Sequence, residues 1–118
     1  MTQATKTPME LMTALSPEAA SIYMAQRVAV MDSPEFAALP TRTKLLIGIG
    51  VAASLQSSTC TLMWTRLARQ AGAGDAEIAA TLAVSRLMKS ATVNDTAAEA
   101  LAWLLEHPLT PATEQAKG

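Results

Sequence analysis

Residues 45–55, with the sequence LLIGIGVAASL, form an almost unbroken apolar run that limits the possible folds more than any other feature of the chain. The run is about half as long as a membrane-spanning helix. A helix start is indicated just before it, at Pro40. We therefore predict a central helix that is buried on most of its sides. Gly48 and Gly50 each cost roughly 1 kcal/mol relative to Ala inside a helix, so we expect a neighbouring helix to approach them closely.

The rest of the sequence favours more helices and no strands. Alanine, which has the highest helix propensity, occurs 24 times in 118 residues, and runs of β-branched residues are scarce. Capping residues, prolines and glycines divide the chain into about six helices, and no heptad repeat is apparent. We predict one all-α domain at residues 9–107, between tails at residues 1–8 and 108–118. The predicted helices start near Met9, Ser16, Pro40, Ser58, Asp75 and Asn94.

Composition and charge exclude several classes of protein. Nine basic and ten acidic residues, with two Trp, one Tyr and one Phe, provide neither a basic patch nor an aromatic platform for nucleic acid. The first residues lack the layout of a signal peptide, so we expect a cytoplasmic protein that does not bind membranes. Charged residues make up 16% of the chain, below the roughly 25% of typical soluble domains. This deficit predicts that self-association covers part of the surface.

Cys60 is the candidate reactive group. The sequence has no glycine-rich phosphate loop and no pair of histidines at metal-ligand spacing, and we expect His107 to interact with carbonyls at a helix end. If Ser57 or Ser58 caps the fourth helix, Cys60 lies in its first turn, where free N–H groups favour a thiolate. Apolar neighbours disfavour the thiolate, so a functional thiol and a core cysteine both remain open. The predicted face of this helix contains Ser57, Cys60, Trp64, Leu67, Ala68 and Ala71.

The sequence LPTRTKLLIGIGVAASLQSSTCTLMWTRLARQAGAGDAEI, residues 39–78, resembles the core of the carboxymuconolactone decarboxylase/alkylhydroperoxidase D-like superfamily. In that core a helix opens after a Pro-x-Arg-like turn, and a buried Ala/Val-rich run precedes the motif Cys-x-x-Cys-x-x-x-His. A glycine follows eight residues after the histidine, before an acidic helix start, as Gly72 and Asp75 do here. The resemblance implies a helical bundle that forms trimers or hexamers.

The same resemblance implies that most of the family's active-site groups are replaced. The first cysteine of the motif falls on Ser57, the second on Cys60 and the histidine on Trp64, while the acid that peroxidase members carry falls on Leu45. A serine cannot supply the second sulfur of a disulfide, and an indole cannot relay a proton near neutral pH. Dithiol peroxidase activity is therefore not expected.

Three functions follow from these replacements. The first is a non-catalytic or specialised oligomer that has no cofactor and binds a small apolar ligand or a partner. Its expected pocket is lined by Leu45, Ser57, Cys60, Met63 and Trp64. The second is a single-cysteine enzyme, in which Cys60 is catalytic, reduces a peroxide or reacts with an electrophile, and is reset by an external thiol. The third is a soft-metal, Cu(I), or haem site that uses Cys60 and Met63, three residues apart on one helix.

Overall fold

A computed structural model describes residues 6–110, and within this range every regular element is a helix. Residues 1–5 and 111–118, which belong to the two predicted tails, lie outside the described residues. No helix between residues 6 and 110 combines the length and the apolar character needed to cross a membrane. The helices are α1 (Pro8–Leu15), α2 (Pro17–Asp32), α3 (Thr41–Ser54), α4 (Ser58–Gln70) and α5 (Asp75–Glu106), with a 3₁₀ turn at Pro34–Phe36.

Local capping explains where most of these helices begin and end. The hydroxyl of Ser16 accepts a hydrogen bond from the N–H of Ala19 and starts α2, as the sequence predicts. Gly72 has a φ of 92°, a left-handed conformation that suits glycine and terminates α4. The start of α5 differs from the prediction by one residue, because Gly74 rather than Asp75 is the N-cap. Glu77 reinforces this cap by accepting a hydrogen bond from the N–H of Gly74.

The predicted sixth helix does not exist as a separate element. Residues 75–106 form one continuous helix, so the start predicted at Asn94 is wrong. The reason is that an Asn-Asp-Thr sequence favours a helix start only where the preceding helix has stopped. No Gly or Pro occurs between Asp75 and Glu106, and Asn and Asp each cost only about 0.7 kcal/mol inside a helix.

Helices α3 and α5 lie side by side and run in the same direction. Helix α4 runs back from the end of α3 to the start of α5. Three contacts along the pair join residues 35 positions apart, which defines a constant parallel register. Arg42 binds Glu77 at one end, Ser85 Oγ donates to the Gly50 carbonyl in the middle, and Lys89 Nζ donates to the Ser54 carbonyl at the other end.

The core is small and lies where α3, α4 and the start of α5 meet. Its buried members are Leu45, Ile49, Ala68 and Ala73, and Trp64 packs against them. The expectation that α3 is buried on most sides does not hold within one chain, because only α4 and α5 cover it extensively. Ile47 and Val51, which face a groove between α3 and α5, are half-exposed.

Candidate functional site

Ser57 and Cys60 lie together at the start of α4, where the sequence places them. The chain turns through Gln56, which has a left-handed φ of 62°, and Ser57 then caps the helix. The Ser57 hydroxyl accepts a hydrogen bond of 3.3 Å from the N–H of Cys60, so Cys60 lies in the first turn as predicted. The Cys60 side chain is half-buried and forms no disulfide. The hydroxyl at position 57 therefore has a structural role as a helix cap.

Trp64 contacts two other helices. It lies against Gly48 of α3, where a methyl group on the glycine would be 2.8 Å from Cζ3 of the indole and closer still to Cε3. This contact confirms the predicted close approach at Gly48. The guanidinium of Arg27, from α2, lies 5.5 Å from the ring centroid, within the range of a cation–π interaction. The indole is thus fixed by the backbone of α3 and by a cation.

The structure brings some of the five predicted pocket residues together and separates others. Leu45 is 5% exposed and belongs to the same core cluster as Trp64. Cys60 lies one turn before Trp64 on the same side of α4. Met63 is 37% exposed, and Ser57 lines a different depression, formed with Gln56 and Thr61 at the α3–α4 turn.

A groove between α2 and the α3–α4 pair adjoins this region and has a volume of about 400 Å³. Leu45 and Leu67 form part of its floor, and Val28 and Arg27 of α2 form part of its wall. Because Arg27 both lines the groove and covers Trp64, it connects the groove with the indole. The sequence analysis missed Arg27. Arg27 could have been singled out in the sequence because it is the only basic residue within α2.

Three other titratable groups have partners at the two ends of α5. The Nδ1 atom of His107 is 2.9 Å from the Trp103 carbonyl and its ring stacks on that indole, which confirms the predicted helix-end role. The Arg69 guanidinium lowers the pKa of Asp75. Arg42, together with the hydrogen bond from Gly74, lowers the pKa of Glu77. Both acids are at the start of α5. Between residues 6 and 110 there is no cluster of three or more His, Cys, Asp or Glu side chains suited to a metal ion.

Comparison with known proteins agrees with this arrangement at the level of the family. The sequence model described as the carboxymuconolactone decarboxylase family matches residues 17–106, which run from the start of α2 to the end of α5. Neither the curated proteins nor the solved structures include a significant match to the chain.

Proposed function

Because the chain belongs to the carboxymuconolactone decarboxylase family, we propose that it is a self-associating member without the dithiol relay. In place of that relay, it binds a small apolar ligand beside Leu45, Cys60 and Trp64. Of the other two predicted lining residues, Ser57 lines a separate depression and Met63 is part-exposed. The contact between Trp64 and Gly48 carries the proposal. Trp64 occupies the position of the family's histidine, a residue suited to proton transfer. Its indole packs directly against the backbone of α3 and presents apolar surface instead.

The surroundings of the indole support binding rather than catalysis. Leu45 is a core residue, and the Ser57 hydroxyl is engaged in capping. The groove beside α2 supplies a concave surface with mostly apolar walls, and its lining residues Leu67 and Ala71 lie on the same side of α4 as Cys60 and Trp64. A ligand in this groove reaches the indole if the Arg27 side chain moves aside. The expected ligand is therefore small, uncharged and apolar.

Tryptophan fluorescence tests this proposal, because Trp64 and Trp103 are the two indoles of the chain. In the Trp103→Phe variant, emission comes from Trp64 alone. We expect the uncharged probe N-phenyl-1-naphthylamine to quench that emission saturably. Val28→Glu, which places a charge in the groove wall, is expected to weaken the binding at least tenfold. Val30→Glu is the matched control, since Val30 is also exposed on α2 but does not line the groove.

Two results would contradict the binding proposal. One is the absence of saturable quenching in Trp103→Phe, and the other is equal affinity in Val28→Glu and Val30→Glu.

The single-cysteine enzyme is tested separately by the rate at which a thiol reagent labels Cys60 between pH 5 and pH 9. Rapid labelling of the folded protein at neutral pH, followed by turnover with a peroxide and an external thiol, would favour the enzyme. We expect slow labelling until the chain is unfolded.

A further inference from the structure

The C-terminal half of α5 extends beyond the rest of the described chain. Helix α3 ends at Ser54, whose carbonyl binds Lys89, and α5 continues for another 17 residues to Glu106. At 1.5 Å per residue this extension is about 25 Å long. Every residue from 98 to 110 is exposed, and the exposed residues include Leu101, Leu104 and Leu105. A helix of this kind gains little stability from its own sequence without a packing partner.

One side of α5 carries a regular apolar pattern along almost its whole length. Counting from Ala80, the positions are separated alternately by four and three residues, which is the heptad spacing of a coiled coil. All eight positions are exposed, and seven of them are apolar. The charged residues of this part of α5, such as Arg86, Lys89 and Glu99, lie at other positions. We call this set the α5 stripe: Ala80, Val84, Leu87, Ala91, Asn94, Ala98, Leu101 and Leu105.

The side-chain sizes along the α5 stripe are complementary when two α5 helices pack antiparallel. When a second α5 runs antiparallel, Ala80 faces Leu105, Val84 faces Leu101, Leu87 faces Ala98 and Ala91 faces Asn94. In three of these four layers an alanine faces a larger side chain, and such pairs pack the interface without large voids. In a parallel pair each residue would face its own copy. Alanine would then meet alanine at three positions and leave voids.

We propose that α5 pairs with the α5 of a second copy, antiparallel and through the α5 stripe. The partner must be another chain, because α5 is one continuous helix and its C-terminal half cannot fold back beside its N-terminal half. The arrangement has a two-fold axis between Thr92 and Val93, and both copies use the same surface. Helix overlap over residues 79–106 is about 42 Å long.

A second feature agrees with this pairing. Ala80 and Val84 also line an apolar groove of about 660 Å³ between α3 and α5. Ile47 and Val51, on the α3 side of this groove, are each about half exposed. The C-terminal half of the partner's α5 would lie along this groove. The inference rests on the self-association in the proposed function and specifies the surface that produces it.

Disulfide cross-linking tests both the surface and the direction of the pair. In a Cys60→Ser background, the double variant Leu87→Cys/Ala98→Cys places thiols opposite each other across an antiparallel pair. Oxidised glutathione is expected to convert it to a covalent dimer on a non-reducing gel. Leu87→Cys alone is the control, because its two thiols would be about 16 Å apart along the antiparallel axis, beyond the reach of a disulfide. Cross-linking of the single variant as fully as the double would overturn the proposal.

A second pair of variants tests the surface without cross-linking. Leu87→Glu places a charge in the α5 stripe and is expected to weaken the pair at least tenfold in sedimentation velocity. Val93→Glu is matched in exposure, 64% against 67% for Leu87, but lies off the stripe and should leave the pair intact. The opposite pattern would overturn the proposal. A monomeric wild-type chain at 100 µM would contradict self-association itself, whereas an oligomer without the 87–98 cross-link would contradict only this pairing.

Discussion

At the scale of single residues, two glycines in the same helix have different roles. Gly48 lies against the Trp64 indole, where even a methyl group would overlap the ring. A methyl group on Gly50 would lie 3.5 Å from Cγ2 of Thr81, which is ordinary van der Waals contact. The sequence analysis treated the two glycines alike, because both interrupt the same apolar run. Only the positions of their neighbours distinguish a required glycine from a replaceable one.

This difference predicts opposite effects of the same substitution. Gly48→Ala should lower the free energy of unfolding by about 1–3 kcal/mol, because the indole must move away from the core. Gly50→Ala should leave stability unchanged or raise it by up to about 1 kcal/mol, since alanine is the better helix former. Urea denaturation at one protein concentration measures both. Equal effects of the two substitutions would mean that Trp64 does not pack against α3 at Gly48.

At the scale of elements, ion pairs fix how α5 begins beside α3 and α4. Arg42 binds Glu77 across the α3–α5 interface, and Arg69 binds Asp75 across the turn between α4 and α5. Glu77 also accepts a hydrogen bond from the N–H of Gly74 and so completes the helix cap. Each arginine holds the pKa of its acid partner below the usual range. Such exposed pairs contribute little individually. The Arg42–Glu77 pair is also one of the three contacts that share the register of α3 and α5.

The lowered pKa of Glu77 predicts the direction of a pH effect. An acid whose pKa is lower in the folded state stabilises the fold above its unfolded pKa and loses this contribution as pH falls through the folded pKa. Glu77→Gln keeps an acceptor for the Gly74 N–H but removes the charge. The variant should be less stable than wild type at pH 7, and the difference should shrink between about pH 5 and pH 3. A difference that stays constant down to pH 3 would show that the ion pair contributes nothing.

At the scale of the whole molecule, the single chain leaves much apolar surface uncovered. Its radius of gyration is 22.5 Å, whereas a compact chain of this length has about 13 Å. Large apolar side chains are exposed on every α-helix, among them Leu15, Ile22, Val51, Leu62 and Leu105. Extensive exposed apolar surface in a soluble protein usually marks an interface with a partner. The open shape and the low charge content therefore support the proposed self-association.

Hydrogen exchange provides a test that does not depend on any substitution. If another copy covers the C-terminal half of α5, amides of residues 98–106 should exchange slowly in concentrated protein. They should exchange at least tenfold faster once dilution separates the copies, because an unpacked helix end opens readily. Amides of residues 45–49 are the internal control and should change much less. Fast exchange of residues 98–106 at every concentration would contradict assembly through this segment.

The helical class, most helix ends and the family resemblance could be predicted from the amino-acid sequence, because these depend on local features. Ser16, Ser57 and Gly72 act on their own turns of the backbone, and their effects do not require distant contacts. The face shared by Cys60 and Trp64 also follows from helical spacing alone. The sequence left open which residues from other helices meet that face. The contacts of the indole with Arg27 and with Gly48 join residues far apart in the sequence and are seen only in the folded chain.

Residues 75–106 form one helix, although the capping residues at Asn94 predict a break. Local capping signals at Asn94 compete with continued helix formation, and the difference between these outcomes is small in free energy. The α5 stripe was invisible while a break was assumed at Asn94, because a heptad pattern has meaning only within a continuous helix. Sequence thus determines what each turn of backbone prefers. Packing between helices that are distant in sequence determines which surfaces are buried and which remain for a partner.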